Sequence, residues 1–152
     1  MTRYVFAICM LLVCFSSGVY ANDDINCEVN HSLYHDDFVI KAFYRFIISK
    51  GSGVILINGK INDGKTAYVI SREIRFAYSK KSAIDYILIN GIIHKNPLDN
   101  IPDVLLMKHY PTFFIENGNS LTFRIKRENK NDFIMSFVST PFFYCNGSSV
   151  KR

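Results

Sequence analysis

Four histidines, one arginine and four cysteines are the side chains of this 152-residue chain whose types and places could carry chemistry. His31 and His35 are four residues apart and are followed by Asp36-Asp37. On a helix that spacing would put two imidazoles on one face, where a metal could be held. No third imidazole or thiolate is placed near them, so the segment reads instead as a solvated polar turn before the first strand, with no metal. Imidazole titrates close to neutral pH, which makes His31, His35, His94 and His109 candidate pH-sensing groups. The chain has no G-x-S-x-G elbow, no glycine-rich phosphate loop before a helix and no recognisable pair of acids for glycoside chemistry. Neither catalysis nor a cofactor is expected.

Arg72 is set apart by the pattern around it. Tyr68, Ile70, Arg72, Ile74, Phe76 and Tyr78 alternate along the chain and form one strand face that is otherwise apolar. A guanidinium buried there must be paired, because an unpaired buried charge is very costly. One outcome is structural: an ion pair with a carboxylate such as Asp85, or a side chain that snorkels past the aromatics to water. The other is functional: a cavity or contact lined by Tyr68, Phe76 and Tyr78, in which Arg72 meets a partner's acid or an anionic ligand.

The cysteines divide by context. Cys9 and Cys14 fall within the unbroken apolar run from Tyr4 to Phe15, which follows Arg3 and precedes Ser16-Ser17-Gly18-Val19-Tyr20-Ala21. A basic start, an apolar stretch of about a dozen residues and small residues at Val19 and Ala21 describe a secretory signal peptide cleaved after Ala21. Uncleaved, residues 4–21 would make a short membrane anchor, since a span needs about 20 apolar residues. Leu11-Leu12-Val13 lack the small residues that lipoprotein processing at Cys14 would need. Either way residues 22–152 are expected outside the cytoplasm as one domain with a real core. There Cys27 and Cys145 remain, and two cysteines in an oxidising compartment most simply form one bridge. The net charge of +5 becomes +4 once Arg3 leaves with the leader, without the clustered basic stripe that nucleic-acid binding requires. Asn30-His31-Ser32 and Asn146-Gly147-Ser148 match the N-glycosylation triplet and are read as coincidence.

The elements that must position these residues are mostly strands. Alternation of period two runs through Phe38 to Ser49, Val54 to Ile61, Thr66 to Ser79 and Ile84 to Ile93. Lys50-Gly51-Ser52-Gly53, Asn62-Asp63-Gly64-Lys65 and Lys80-Lys81-Ser82 are the turns between them, and Asp-Gly suits a tight turn with positive φ angles. Pro97 and Pro102 interrupt the pattern, after which Asp103 is placed to cap a short helix through Met107. Leu121 to Lys126 and Asp132 to Thr140 form a last hairpin, and Pro141 to Cys145 closes the domain. Six or seven strands predict a mainly β, single antiparallel domain: a small or incomplete lipocalin-like barrel with one short helix. An incomplete barrel would leave an edge for a partner to cover.

Several segments together resemble the FidL-like family, of the PsaF and MyfF type. They are the early Cys27, the Asn62-Asp63-Gly64 turn, the run Ile70-Ser71-Arg72-Glu73-Ile74-Arg75-Phe76-Ala77-Tyr78, the Asn100-Ile101-Pro102-Asp103 loop, and the ending Ser139-Thr140-Pro141-Phe142-Phe143-Tyr144-Cys145. The resemblance implies a periplasmic protein, in some members anchored to the inner membrane and functionally similar to ToxS and VtrC. It implies binding to the periplasmic domain of a membrane-bound ToxR-like transcription regulator, in virulence or fimbrial gene control. The shared β structure would admit a small amphipathic ligand such as a bile salt. The main rival expectation is a stand-alone lipocalin-like protein that binds a bile salt or a lipid. A third is a secreted chaperone, inhibitor or surface subunit.

Overall fold

The computed structural model describes residues 24–137 and 143–147. The leader with Cys9 and Cys14, the segment Val138 to Phe142, and residues 148–152 lie outside the described residues. Eight strands follow one another: β1 (Ile25–His35), β2 (Phe38–Ser49), β3 (Ser52–Asn62), β4 (Ala67–Lys80), β5 (Asp85–Lys95), β6 (Ser120–Arg127), β7 (Phe133–Phe137) and β8 (Phe143–Gly147). Each pairs antiparallel with the next, and β1 pairs with β8, so the sheet is a closed barrel in sequence order.

Alternation builds the interior. Ile40, Ile48, Ile55, Ile57, Ile61, Ile70 and Ile74 all point inward and are at most 2 % exposed. β-branched side chains suit the pleated surface, and each buried one stabilises by about 1.5–3 kcal/mol. Outward positions carry Glu28, Lys41, Arg45, Asn58, Lys60, Glu73 and Arg124. A barrel that is apolar within and polar without has its faces reversed from those of a membrane-spanning barrel.

Two points correct the sequence reading. The barrel is closed where an open edge was thought possible, because residues 25–35 form a strand rather than a solvated turn. Ile25, Cys27 and Val29 are buried, with Asn26, Glu28 and Asn30 alternating outward. The short polar residues disguised a strand whose apolar positions are few. The seam with β8 has two described ladder pairs, Cys27↔Gly147 and Glu28↔Asn146. The Cys27–Cys145 disulfide ties the same two strands across 118 residues of sequence.

The second correction is the β3–β4 turn. Of Asp63 and Gly64 only Gly64 takes a positive φ, +84°. Asp63 holds the turn through its side chain, whose Oδ1 accepts the backbone N–H groups of Lys65 and Thr66 at 3.0 and 2.7 Å. Gly53 serves packing instead. A Cβ there would lie 2.4 Å from Cζ of Phe76, so the glycine makes room for that ring inside the barrel.

Residues 96–119 connect β5 to β6 and close one end. The segment holds α1 (Asp103–Leu106) and a single 3₁₀ turn (Thr112–Phe114). The expected cap at Asp103 is absent: α1 makes no side-chain cap bond, and the Asp103 carboxylate is turned elsewhere. Leu106, Phe113 and Phe114 are driven into the barrel mouth and are at most 1 % exposed. Phe113 meets Phe76 edge-on at 6.2 Å, and Phe114 packs against Tyr110 and Phe137 at 5.8 and 5.5 Å.

Candidate functional site

Arg72 and Asn90 are the buried polar side chains of the described interior, and both serve the cap. Arg72 lies directly across from Lys95 on β5. That pairing is produced by a bulge: the register shifts between Arg75 and Phe76, so that Phe76 faces Asn90, Arg75 faces Ile92 and Gly91 is left over. Beyond the bulge the phase of β5 is inverted. Ile93 and Lys95 turn toward the interior side, while Ile92 and His94 turn outward.

Two cations side by side need acids, and the cap supplies them. Nε and Nη2 of Arg72 donate to the two oxygens of Asp99 at 2.8 and 3.2 Å. Nη2 also reaches Asp103 at 3.0 Å, and Nη1 donates to the carbonyl of Phe114 at 3.3 Å. Lys95 Nζ completes the set at 2.6 Å from Asp103. Both side chains of the Arg72–Asp99 pair are sealed from water, at 0 and 1 % exposure. Burial pushes the Asp103 carboxyl up, but Lys95 and Arg72 outweigh it and hold the group below the ordinary carboxylate range.

Backbone bonds extend the docking. Asp99 accepts the N–H of Ser71, and Asn100 accepts that of Val69 through its side chain while returning its own N–H to the Val69 carbonyl. The 96–100 loop therefore continues the sheet along β4 where β5 has ended. Asn90 pins the other half of the cap. Its amide donates to the carbonyls of Phe113 and Glu116, and its oxygen accepts the N–H of Asn119 at 2.9 Å. Between the two halves the hydroxyls of Tyr44 and Tyr110 are hydrogen-bonded inside the barrel. Burial pushes the Tyr110 hydroxyl up to about 12 and raises that of Tyr44 well above its ordinary value, so both stay neutral.

Arg72 thus meets carboxylates of its own chain, Asp99 and Asp103. Asp85, the partner anticipated for it, sits at the other end and binds Arg124 at 2.9 Å. The residues grouped with Arg72 do not gather around it. Tyr68 lies at the capped end with its hydroxyl 3.4 Å from Asp63, Phe76 is packed on Phe113, and Tyr78 faces Tyr86 at the opposite end.

The histidines separate as well. His109 of the cap stacks on Phe38 at 3.6 Å and lies 5.8 Å from His35. Burial, then His35 and then Lys108 hold its pKa below the ordinary value. His31 points into the barrel against Phe143 at 4.7 Å, and burial lowers it too. His94 stands exposed on the outer face of β5. His31 and His35 lie on a strand, not a helix, so their spacing does not put them on one helical face. Among the described residues no three His, Cys, Asp or Glu side chains gather as metal ligands.

The outer wall carries a feature that period-two reading missed. Ile47, Val54, Arg75 and Ile92 face one another in register across β2 to β5. Ile47 is 40 % and Ile92 59 % exposed, and Ile89 on the same strand is 52 % exposed. The signal for it was Gly91, since a glycine inside a strand often marks a bulge that changes which face follows. Asn90 was open to the same test as Arg72, a polar residue in register with the inward Tyr86 and Leu88.

All of the barrel but the last two residues of β8, with its seam disulfide and its capping loop, falls within one matched domain. The family model of the YqeJ C-terminal domain covers residues 24–145. No individual curated protein matches the chain. With the match spanning most of its length, the chain belongs to the YqeJ C-terminal domain family.

Proposed function

We propose that this protein is a periplasmic co-component that binds and stabilises a membrane-bound ToxR-like transcription regulator, in the manner of the FidL-like proteins that it resembles. The reading rests most on the outer row of Ile47, Val54, Arg75 and Ile92, continued by Ile89 on β5. Exposed isoleucines at the two edges of a row four strands wide, with Val54 and Arg75 between them, form the kind of mixed patch that marks an interaction surface. A secretory leader and a disulfide between Cys27 and Cys145 fit display of that surface in an oxidising compartment. The single-span regulator would present its own domain in the same place. The partner covers a face of the barrel, because the β1–β8 seam leaves no whole strand edge to complete.

The rival reading, a stand-alone binder of a bile salt or lipid, needs a ligand space in the barrel. Leu106, Phe113 and Phe114 occupy the capped mouth, which favours the outer face as the working surface. Co-expression of this protein with the regulator's periplasmic domain tests the proposal. Wild-type protein should purify as a stoichiometric heteromer, and Ile92→Asp should abolish it without lowering the melting temperature, since Ile92 is already exposed. A heteromer that forms equally well with Ile92→Asp and Ile47→Asp would reject this surface.

A further inference from the structure

The barrel's two ends differ in charge, and its chain enters at only one of them. At the end opposite the cap, the turns and strand ends hold Lys50, Lys80, Lys81, Lys126, Arg127 and Lys130 against Asp24, Glu128 and Asp132, with Arg124 and Asp85 cancelling as an ion pair. Among the described residues the net charge there is +3. At the capped end Asp36, Asp37, Asp63 and Glu116 stand against Lys41, Lys60, Lys65 and Lys108, while Arg72–Asp99 and Lys95–Asp103 cancel, leaving no net charge among the described residues.

We propose that the basic end docks on an anionic phospholipid surface and seats a lipid headgroup in its cleft. That cleft, of about 300 Å³, lies over Ile25, Tyr86 and Phe133 and is rimmed by Lys80, Lys126 and Arg127. A basic rim facing the membrane suits the phosphodiester of a headgroup that enters from that side, with its acyl chains left in the bilayer. Lys126 holds Glu128 at 2.8 Å and Arg127 donates to the carbonyl of Lys130. Both are exposed contacts, which a phosphate replaces at little cost.

The path of the chain points the same way. Only Asn22, Asp23 and Asp24 separate Ala21 from the first residue of β1, which lines the cleft. Three extended residues reach about 10 Å. With residues 4–21 held in a bilayer as an anchor, this end lies within about one Debye length of the headgroups, where attraction between opposite charges is least screened. The capped end, which carries no net charge, then faces away from the membrane.

The chain contains no tryptophan, so single reporters can be introduced. Full-length protein carrying Ala83→Trp at the basic end, or Met107→Trp on the cap, is placed in nanodiscs of phosphatidylcholine with or without phosphatidylglycerol. Nitroxide-headgroup lipid serves as the quencher. Ala83→Trp should be quenched several-fold more than Met107→Trp. The difference should grow with phosphatidylglycerol and shrink in high salt. It should also shrink when Lys81→Glu and Lys130→Glu, both in exposed turns, are added. Equal quenching at the two sites would overturn the proposal. So would a difference indifferent to phosphatidylglycerol, salt and charge reversal, because the tether alone would then explain it.

Discussion

Replacing Arg72 by methionine tests how the cap is held on the barrel. The guanidinium makes four hydrogen bonds, two to Asp99, one to Asp103 and one to the Phe114 carbonyl. Methionine fills much of the space but leaves Asp99, whose side chain is 1 % exposed, with the Ser71 N–H at 3.0 Å as its remaining donor among these contacts. Removing one member of a buried pair costs about 3–5 kcal/mol, mainly because the other charge is stranded. For a domain of this size that corresponds to a fall of about 10–20 °C in melting temperature. Arg124→Ala is the control. It breaks an ion pair whose arginine is 57 % exposed, and such pairs are worth under about 1 kcal/mol. Arg72→Met combined with Asp99→Leu should recover part of the loss, since the stranded charge is gone. Thermal unfolding followed by circular dichroism measures all four proteins. Equal melting temperatures for Arg72→Met and Arg124→Ala would refute the burial argument, and a double variant no better than Arg72→Met would refute the stranded-charge explanation.

Asn90→Ala should cost about 2–4 kcal/mol by leaving two carbonyls and one N–H of the cap unbonded, and should speed hydrogen exchange at Asn119 ahead of the β2 and β3 amides. Protein exported to the periplasm should show no alkylatable thiol at Cys27 or Cys145 until reduced, and replacing both with alanine should cost about 4–5 kcal/mol in the chain-entropy model, read as a lower urea midpoint. His109 is held neutral on Phe38, so as pH falls below about 6.5 the unfolded chain takes up the proton first and stability declines, whereas above that pH it is flat in this group. The groups around it are His35 and Lys108, with Asp36 3.6 Å from His35. His109→Phe should therefore flatten the urea midpoint between about pH 7.5 and 5.5; an unchanged slope would exclude His109 as its source.

Much of the fold was legible because burial is written in period two. The strand Phe38–Ser49 has the bounds its alternation predicts, and the inward face of β4 is the one read from Tyr68 to Tyr78. What failed had physical reasons. In β1 the inward positions include His31 among only a few apolar residues, so its alternation is weak and the segment reads locally as a turn. The demand that Arg72 be paired was legible, but its partner was not. Choosing Asp99 over Asp85 depends on where a proline-bracketed loop folds back, and no local period encodes that. The outward row containing Ile92 was hidden because a bulge inverts the phase of β5 at Gly91. The capped end was therefore visible as separate residues and invisible as an assembly.

The central claim is that this barrel protects a membrane-bound regulator by binding its periplasmic domain. A partner that binds only the folded regulator stabilises it by mass action, by about 2.7 kcal/mol at a hundredfold excess over the dissociation constant. The direct measurement is the regulator's half-life, by pulse-chase, in cells that lack this protein, with wild type or Ile92→Asp restored. The account predicts rapid periplasmic degradation in the deletion strain, rescue by wild type, and no rescue by Ile92→Asp at equal expression. A half-life unchanged by deletion would contradict it.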